Sequence, residues 1–206
     1  MDIKISKKLI GILRHGAQKR GIPINQNGEV LISDLLKQPD FKNVSIQKIM
    51  EIVANCPKQR FKISDNELYI KANQGHSIKI NADECMTKLT PHNLKEHQID
   101  PNIIVHGTYF ESWTKIKNSE GLSRMKRQHI HFGIQIPEDG EVISGMRKSC
   151  QVIIYLDIIR AMEAGIVFYL SDNKVVLSEG NSSGFIPKEY FSKIINRNTK
   201  MELYHL

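Results

Sequence analysis

Apolar residues recur at helical spacing near the start of the chain. Leu9, Ile12 and Leu13 share a face, with Ile5 one turn earlier, which predicts an amphipathic helix stopped at Gly16. In "NQNGEVLISDLL" an Asn-Gly turn leads into a short apolar stretch, then Ser33 as the cap of a helix that ends near Pro39. In "NVSIQKIMEIVANCP" Ser45 is the expected N-cap, Ile46, Ile49, Met50 and Val53 form one face, and Pro57 closes the helix. The period then changes from about 3.6 to 2. In "RFKISDNELYIKA", Phe61 and Ile63 alternate with polar residues, a Ser-Asp-Asn turn follows, and Leu68 and Ile70 alternate again, as in a hairpin.

Between Pro91 and Pro101 the chain is polar, "TPHNLKEHQIDP", and reads as a linker. Strand patterns are commoner beyond it. "NIIVHGT" predicts a short strand. "YFESWTKIKNSEG" predicts a helix with Phe110, Trp113, Ile116 and Lys117 on or near one face, ended by Gly121. "QHIHFGIQI" alternates, "CQVIIYLD" reads as a buried strand, "IIRAMEAG" as a helix, and "IVFYLSDNKVVLS" as a hairpin around Asp172 and Asn173. The expected class is α+β: helices and a two-stranded ribbon in the order of a winged-helix module, then a β-rich half.

With 206 residues, 40% of them hydrophobic, the chain can bury one large core or two small ones. It has no apolar run long enough to span a bilayer, and its N-terminus lacks the apolar segment and cleavage site of a secretory signal, so an intracellular protein without a membrane partner is expected. Cys56, Cys85 and Cys150 are too scattered for a disulfide framework or a cysteine-zinc site. Charge is uneven. Residues 1–90 carry 15 Lys and Arg against 9 acidic residues, whereas residues 91–206 carry 14 against 13. A basic first half suits a polyanion such as RNA or DNA, and an ordinary basic surface would read the same way.

Four polar clusters interrupt the apolar pattern. Arg14 and His15 are adjacent at a helix end; an arginine fork beside a directed imidazole donor makes a phosphate socket, while a plain basic helix end is the simpler account. Arg60, in "KQRF", lies where a helix meets the ribbon. Gln74, His76 and Ser77, in "QGHS", leave the ribbon beside a permissive glycine, Gly75, and could donate to phosphate oxygens. In "VHGT", His106 ends a strand before Gly107, whose bare backbone can approach a flat amide. In "MKRQHIHF", a period of two puts Arg127, His129 and His131 on one strand face. The H-x-H pair raises zinc, but a zinc site needs three or four ligands, so no metal is expected.

Singly, none of these clusters is specific. As an ordered set, "LRHG", "KQRF", "NQGHSIK", "IVHGT", "RQHIHF" and "VISGMR", running from about Ile5 to Ile195, they resemble the tRNA 2′-phosphotransferases. The resemblance implies an N-terminal winged-helix RNA-binding lobe (1–88), a linker (89–101) and an ADP-ribosyltransferase-like lobe that binds NAD (102–206), with a cleft between the lobes. It implies removal of the internal 2′-phosphate left at the splice junction of ligated tRNA. NAD would be consumed as co-substrate through an ADP-ribosylated RNA phosphate, giving 2′-OH RNA, ADP-ribose 1″,2″-cyclic phosphate and nicotinamide.

Carried over by motif, Arg14, His15, Arg60 and Arg127 become the expected catalytic set. His106, Gly107, Thr108, Ser123, His131 and Arg147 become the expected NAD contacts, and Gln74, His76 and Ser77 the expected RNA-phosphate contacts. A monomer acting in cytoplasm or nucleus is expected, with RNA bearing a 2′-phosphate as partner. Two other readings share these features: an ADP-ribosyltransferase that caps terminal phosphates of RNA or DNA, and a winged-helix nucleic-acid binder without catalysis. A plain binder has no use for "HGT" and "RQHIH".

Overall fold

A computed structural model describes residues 2–136, 146, 147 and 149–204; of Tyr204 only the backbone is described. Val142 to Gly145 of the "VISGMR" motif lie outside the described residues. The chain divides into two compact units, Met1–Cys85 and Met86–Leu206.

In the first unit, helix α1 (Ile3–Gly11) starts at Asp2, whose carboxylate accepts from the amides of Lys4 and Ile5. The α-helical part ends at Gly11, and Gly16 is the last residue of the turn that extends it. Ile12–Gly16 continues it as a π-helical turn, closed by the amide of Ala17 donating to the carbonyl of Ile12 (3.0 Å). A 3₁₀ turn follows, and the left-handed residue that ends the run is Gly21. Strand β1 (Glu29–Leu31) leads directly into α2 (Ile32–Leu36). Ser33 does not cap α2. The flanking residue is Leu31, with no side-chain cap, because the strand runs into the helix without a turn. Ser45 does cap α3 (Ile46–Ala54), accepting from the amide of Lys48.

Strands β2 (Phe61–Ile63) and β3 (Tyr69–Ala72) form the expected hairpin, and β1 joins it to give an antiparallel sheet of order β1-β3-β2. Leu68, read as an inward residue, is exposed in the turn just before β3. Leu9, Leu13, Val30, Leu35, Phe41, Ile49, Ile52 and Ile70 make the core between helices and sheet. A one-turn helix α4 (Ala82–Cys85) ends the unit.

The second unit is built mainly from antiparallel strands. A four-stranded sheet has the order β4 (Thr87–Leu89), β9 (Phe168–Leu170), β10 (Val176–Ser178), β7 (Ile130–Phe132). Another has the order β13 (Glu202–Tyr204), β12 (Phe191–Asn196), β8 (Val152–Leu156), β5 (Val105–Thr108). A small pair joins β6 (Gly121–Ser123) to β11 (Phe185–Pro187), and Val105 bridges Gly133 just beyond β7. Helices α5 (Phe110–Lys117) and α6 (Ile158–Glu163) pack on this framework through Trp113, Ile158 and Ala161.

The segment read as a linker contributes Leu94 and Ile99 to the same core as Ile154 and Phe168. Its polar residues lie outside while its two widely spaced apolar residues point in, a pattern too sparse to register as periodicity. Phe110 is 41% exposed, so the apolar face of α5 is narrower than expected. No helix among the described residues is long and apolar enough to cross a membrane.

Candidate active site

The π-helical turn sets up the first unit's polar cluster. It releases the carbonyl of Arg14 from the helix ladder, and that carbonyl accepts from the amides of Ser77 (2.9 Å) and Ile78 (3.4 Å). The link brings the segment after β3 against the helix end. The side chains repeat it: His15 Nδ1 lies 2.9 Å from Ser77 Oγ. Gly75 adopts φ +87°, and a Cβ there would stand 3.1 Å from Arg14 Cζ, so the guanidinium lies across bare backbone. Arg14 is half-buried, while His15 and Ser77 are exposed.

The same segment holds the second arginine. The amide of Asn73 donates to the carbonyl of Arg60 (2.9 Å), and Asn73 Nδ2 donates to the carbonyl of Gln59 (2.7 Å). Gln59 sits at φ +43°, a left-handed conformation that turns the chain into β2. Arg60 Nη1 reaches Cys56 Sγ at 3.6 Å. Asn73 is buried, and its Oδ1 has no hydrogen-bond partner among the described residues. Residues Asn73 to Ser77 thus bond the backbone carbonyls of both Arg14 and Arg60 and the ring of His15. The sequence reading passed over Asn73, although it opens the quoted motif "NQGHSIK"; an asparagine at a strand end gives no sign of which carbonyls it will reach. Gln74 is half-buried within this segment. His76 is 1% exposed, with its ring against Gly28 of the Asn-Gly turn. That places it as a prop beneath the segment rather than a donor to solvent.

In the second unit the cluster is arranged around β5. His106 pairs with Ile154 and Thr108 with Val152 in the β5–β8 ladder. The carbonyl of Ile104 accepts from Leu156, so the hydrogen-bonded positions facing β8 are 104, 106 and 108. The peptide groups of Val105 and Gly107 then face the other way. Those of Val105 are taken in both directions by Gly133 (2.9 and 2.8 Å). Those of Gly107 project beyond the bridge, at a half-exposed position. On the side-chain face, a Cβ on Gly107 would collide with Met146 Cγ and lie 3.0 Å from Cys150 Sγ, so the glycine is also required by packing.

His106 Nδ1 donates to the carbonyl of His131 (2.9 Å), which fixes the tautomer and leaves Nε2 as an acceptor. Its ring meets Phe132 edge-on. Burial pushes the His106 pKa below the ordinary 6.5, the bond to His131 opposes this, and the positive charge of Arg127 lowers it further. His106 is thus neutral at pH 7, and Arg127 is near enough for its field to reach the ring. His129, 2% exposed, is also held neutral by burial, with Glu179 raising and Arg124 lowering its pKa. His131 is buried on β7, and Thr108 is buried at the end of β5.

Arg127 does not share a strand face with these histidines. Strand β7 begins only at Ile130, and Arg127 is exposed in the preceding turn, its amide donating to the carbonyl of Arg124. Ser123 Oγ accepts from the amide of Met125 (3.1 Å). Arg147 is exposed, with its guanidinium 5.9 Å from the centre of the Tyr109 ring. Among the described residues, no group of three His, Cys, Asp or Glu could hold a metal ion.

Comparison with known proteins bears on what this arrangement is. Residues 1–180 match the model of the family described as RNA 2'-phosphotransferase, Tpt1 / KptA family. The chain is 41% identical over 197 residues to tRNA 2'-phosphotransferase 1 of Danio rerio, covering 93% of this chain and 84% of that one. It is 37% identical over 198 residues to tRNA 2'-phosphotransferase 1 of Homo sapiens, covering 94% and 76%. A probable RNA 2'-phosphotransferase of Rhizobium johnstonii is 32% identical over 194 residues, covering 94% and 95%. The chain is an enzyme that belongs to the RNA 2'-phosphotransferase, Tpt1 / KptA family.

Proposed function

We propose that the protein removes the internal 2′-phosphate from ligated tRNA by transferring it to NAD, with the first unit a winged-helix RNA-binding lobe and the second an ADP-ribosyltransferase-like lobe. The observation that carries this reading is the shared anchoring of Arg14, His15 and Arg60 by Asn73 to Ser77, a set of cationic and donor groups suited to a phosphate. The outward peptide groups of Gly107 and the neutral His106 support NAD as co-substrate. A carboxamide needs one acceptor and one donor in a line, which a single strand-edge residue offers. A ribose hydroxyl can donate to His106 Nε2, the ring atom left over once Nδ1 is bound. Thr108, Ser123, His131 and Arg147 are assigned to the surroundings of the same nucleotide.

In the first step the RNA 2′-phosphate oxygen attacks the anomeric carbon of the nicotinamide ribose. The glycosidic bond breaks and nicotinamide leaves with its electron pair. In the second, the ribose 2″-hydroxyl attacks phosphorus and gives up its proton, the bond from phosphorus to the RNA 2′-oxygen breaks, and a proton restores the RNA hydroxyl. Arg14, Arg60 and Arg127 balance the charge on the phosphate oxygens, and His15 supplies the proton or orients the phosphate. No carboxylate is needed as a base in the first step, because the phosphate is itself the nucleophile.

The test is to incubate the protein with NAD and an RNA carrying one internal 2′-phosphate, without added metal. Loss of the phosphate with release of nicotinamide is expected. A persisting phosphate would contradict the proposal, and persistence with ADP-ribose attached to the RNA would favour a capping ADP-ribosyltransferase.

A further inference from the structure

The turn between β6 and β7, Ser123 to Arg127, is built more rigidly than an exposed connection requires. The amide of Arg124 donates to the carbonyl of Gly184 (3.1 Å), the amide of Arg127 donates to the carbonyl of Arg124 (3.1 Å), and Arg124 Nη1 returns to the carbonyl of Arg127 (3.2 Å). The Arg124 side chain lies so close to Gly184 that a Cβ there would stand 2.6 Å from Arg124 Nε. Arg124 is thereby committed to holding the turn closed. At its tip Met125 is fixed at φ +55° by its amide donating to Ser123 Oγ. Left-handed backbone is uncommon for a residue with a side chain and is kept where the surroundings impose it.

This turn holds an apolar side chain out in water. Met125 is 79% exposed, the highest value among the large exposed apolar residues that are described. Exposed Lys126 follows, and Arg127, whose charge is felt at His106, comes next. No acidic residue occurs between Ser123 and Arg127. An unbranched, polarizable thioether can lie on the flat face of a nucleobase, and single-stranded RNA offers such faces when its bases are unstacked. A lysine beside it matches the phosphate of the neighbouring nucleotide.

Resting on the proposed function, we infer that the Ser123–Arg127 turn is an RNA-docking tip: Met125 stacks on a base beside the nucleotide that carries the 2′-phosphate, and Lys126 binds the adjoining phosphodiester. Its chemistry selects an unpaired nucleotide in preference to one held in a duplex, because only the former exposes a base face to a side chain approaching from outside.

The test is direct binding, without NAD, of a fluorescent single-stranded RNA bearing one internal 2′-phosphate to the wild type, Met125→Ala, Met125→Phe and Lys126→Ala. Met125→Ala is expected to raise Kd about 5-fold, the size of one sulfur–ring contact, and Met125→Phe to retain or improve binding. Lys126→Ala is expected to weaken binding and to lower the slope of log Kd against log salt by about 0.7, one phosphate on a single strand. Unchanged binding in Met125→Ala overturns the stacking role even if Lys126→Ala binds more weakly, and unchanged binding in every variant overturns the docking tip altogether. Wild-type turnover of the same RNA with NAD separates the two claims: turnover with unaltered variants removes only the docking tip, whereas no wild-type turnover contradicts the proposed function itself.

Discussion

The two polar clusters use opposite means. In the first unit the important groups are cationic side chains, placed by hydrogen bonds from a short segment to the carbonyls of Arg14, Arg60 and Gln59. In the second they are a neutral imidazole and the peptide groups of one strand edge, with the charge of Arg127 nearby. Charge against charge suits a phosphate. Fixed, neutral donors and acceptors suit an amide and sugar hydroxyls. The contrast therefore predicts that substitutions in the two units will fail in different ways.

The largest effect is expected at Arg14. Arg14→Ala should lower turnover by about 10²–10³-fold, the range for loss of a donor aimed at developing charge, as measured by release of the 2′-phosphate. Arg14→Lys should recover only part of this, because an ammonium cannot reproduce the fork. Equal activity of Arg14→Lys and wild type would remove the bidentate role. Gly107→Ala comes next. Its Cβ would press on Met146 and Cys150, so a stability loss of about 1–3 kcal/mol and a raised KM for NAD are expected, with binding of RNA unaltered. Thermal unfolding and NAD titration check the two parts separately.

The pH dependence should follow the neutral histidines. His106 and His129 have folded pKa values below the ordinary 6.5. As pH falls through 6.5, the unfolded chain takes up protons that the folded chain refuses, so stability falls until pH passes the folded values and then levels. Substituting either histidine by glutamine should flatten that slope in urea denaturation at pH 5 against pH 7.5, and an unchanged slope would show that neither ring is held neutral. The smallest effect is expected for Ser77→Ala. It removes the exposed partner of His15 but keeps the amide bond to Arg14, so a few-fold loss of turnover is the expected extent.

What the sequence made legible follows from how local each signal is. Ser45 as a cap, the β2–β3 hairpin and the β9–β10 hairpin depend on near neighbours, and each was readable from period and turn residues. Gly16 does end the helical segment, but as a π-helical turn, which has no distinct composition, and the 3₁₀ turn that carries the chain on to Gly21 left no separate signal. Ser33 misled because a cap needs a loop before it, and β1 left none. Arg127, His129 and His131 share a period of two in the sequence, but the strand that would give it meaning starts after the first two of them. The ordered motifs pointed to Arg14, His15, Arg60, His106 and Gly107. They did not show how these residues are held, because Asn73 and the carbonyl of His131 act through contacts distant in sequence.

The central claim is that the two units serve different partners of one reaction. The most direct measurement is a single-turnover assay with RNA labelled at its 2′-phosphate, scoring nicotinamide release and phosphate loss separately in Arg60→Ala and Gly107→Ala. The account predicts that Arg60→Ala releases nicotinamide and leaves ADP-ribose joined to the RNA phosphate, whereas Gly107→Ala releases little nicotinamide and leaves the RNA unmodified. Arrest of both variants at the same stage, or phosphate loss without nicotinamide release, would contradict it.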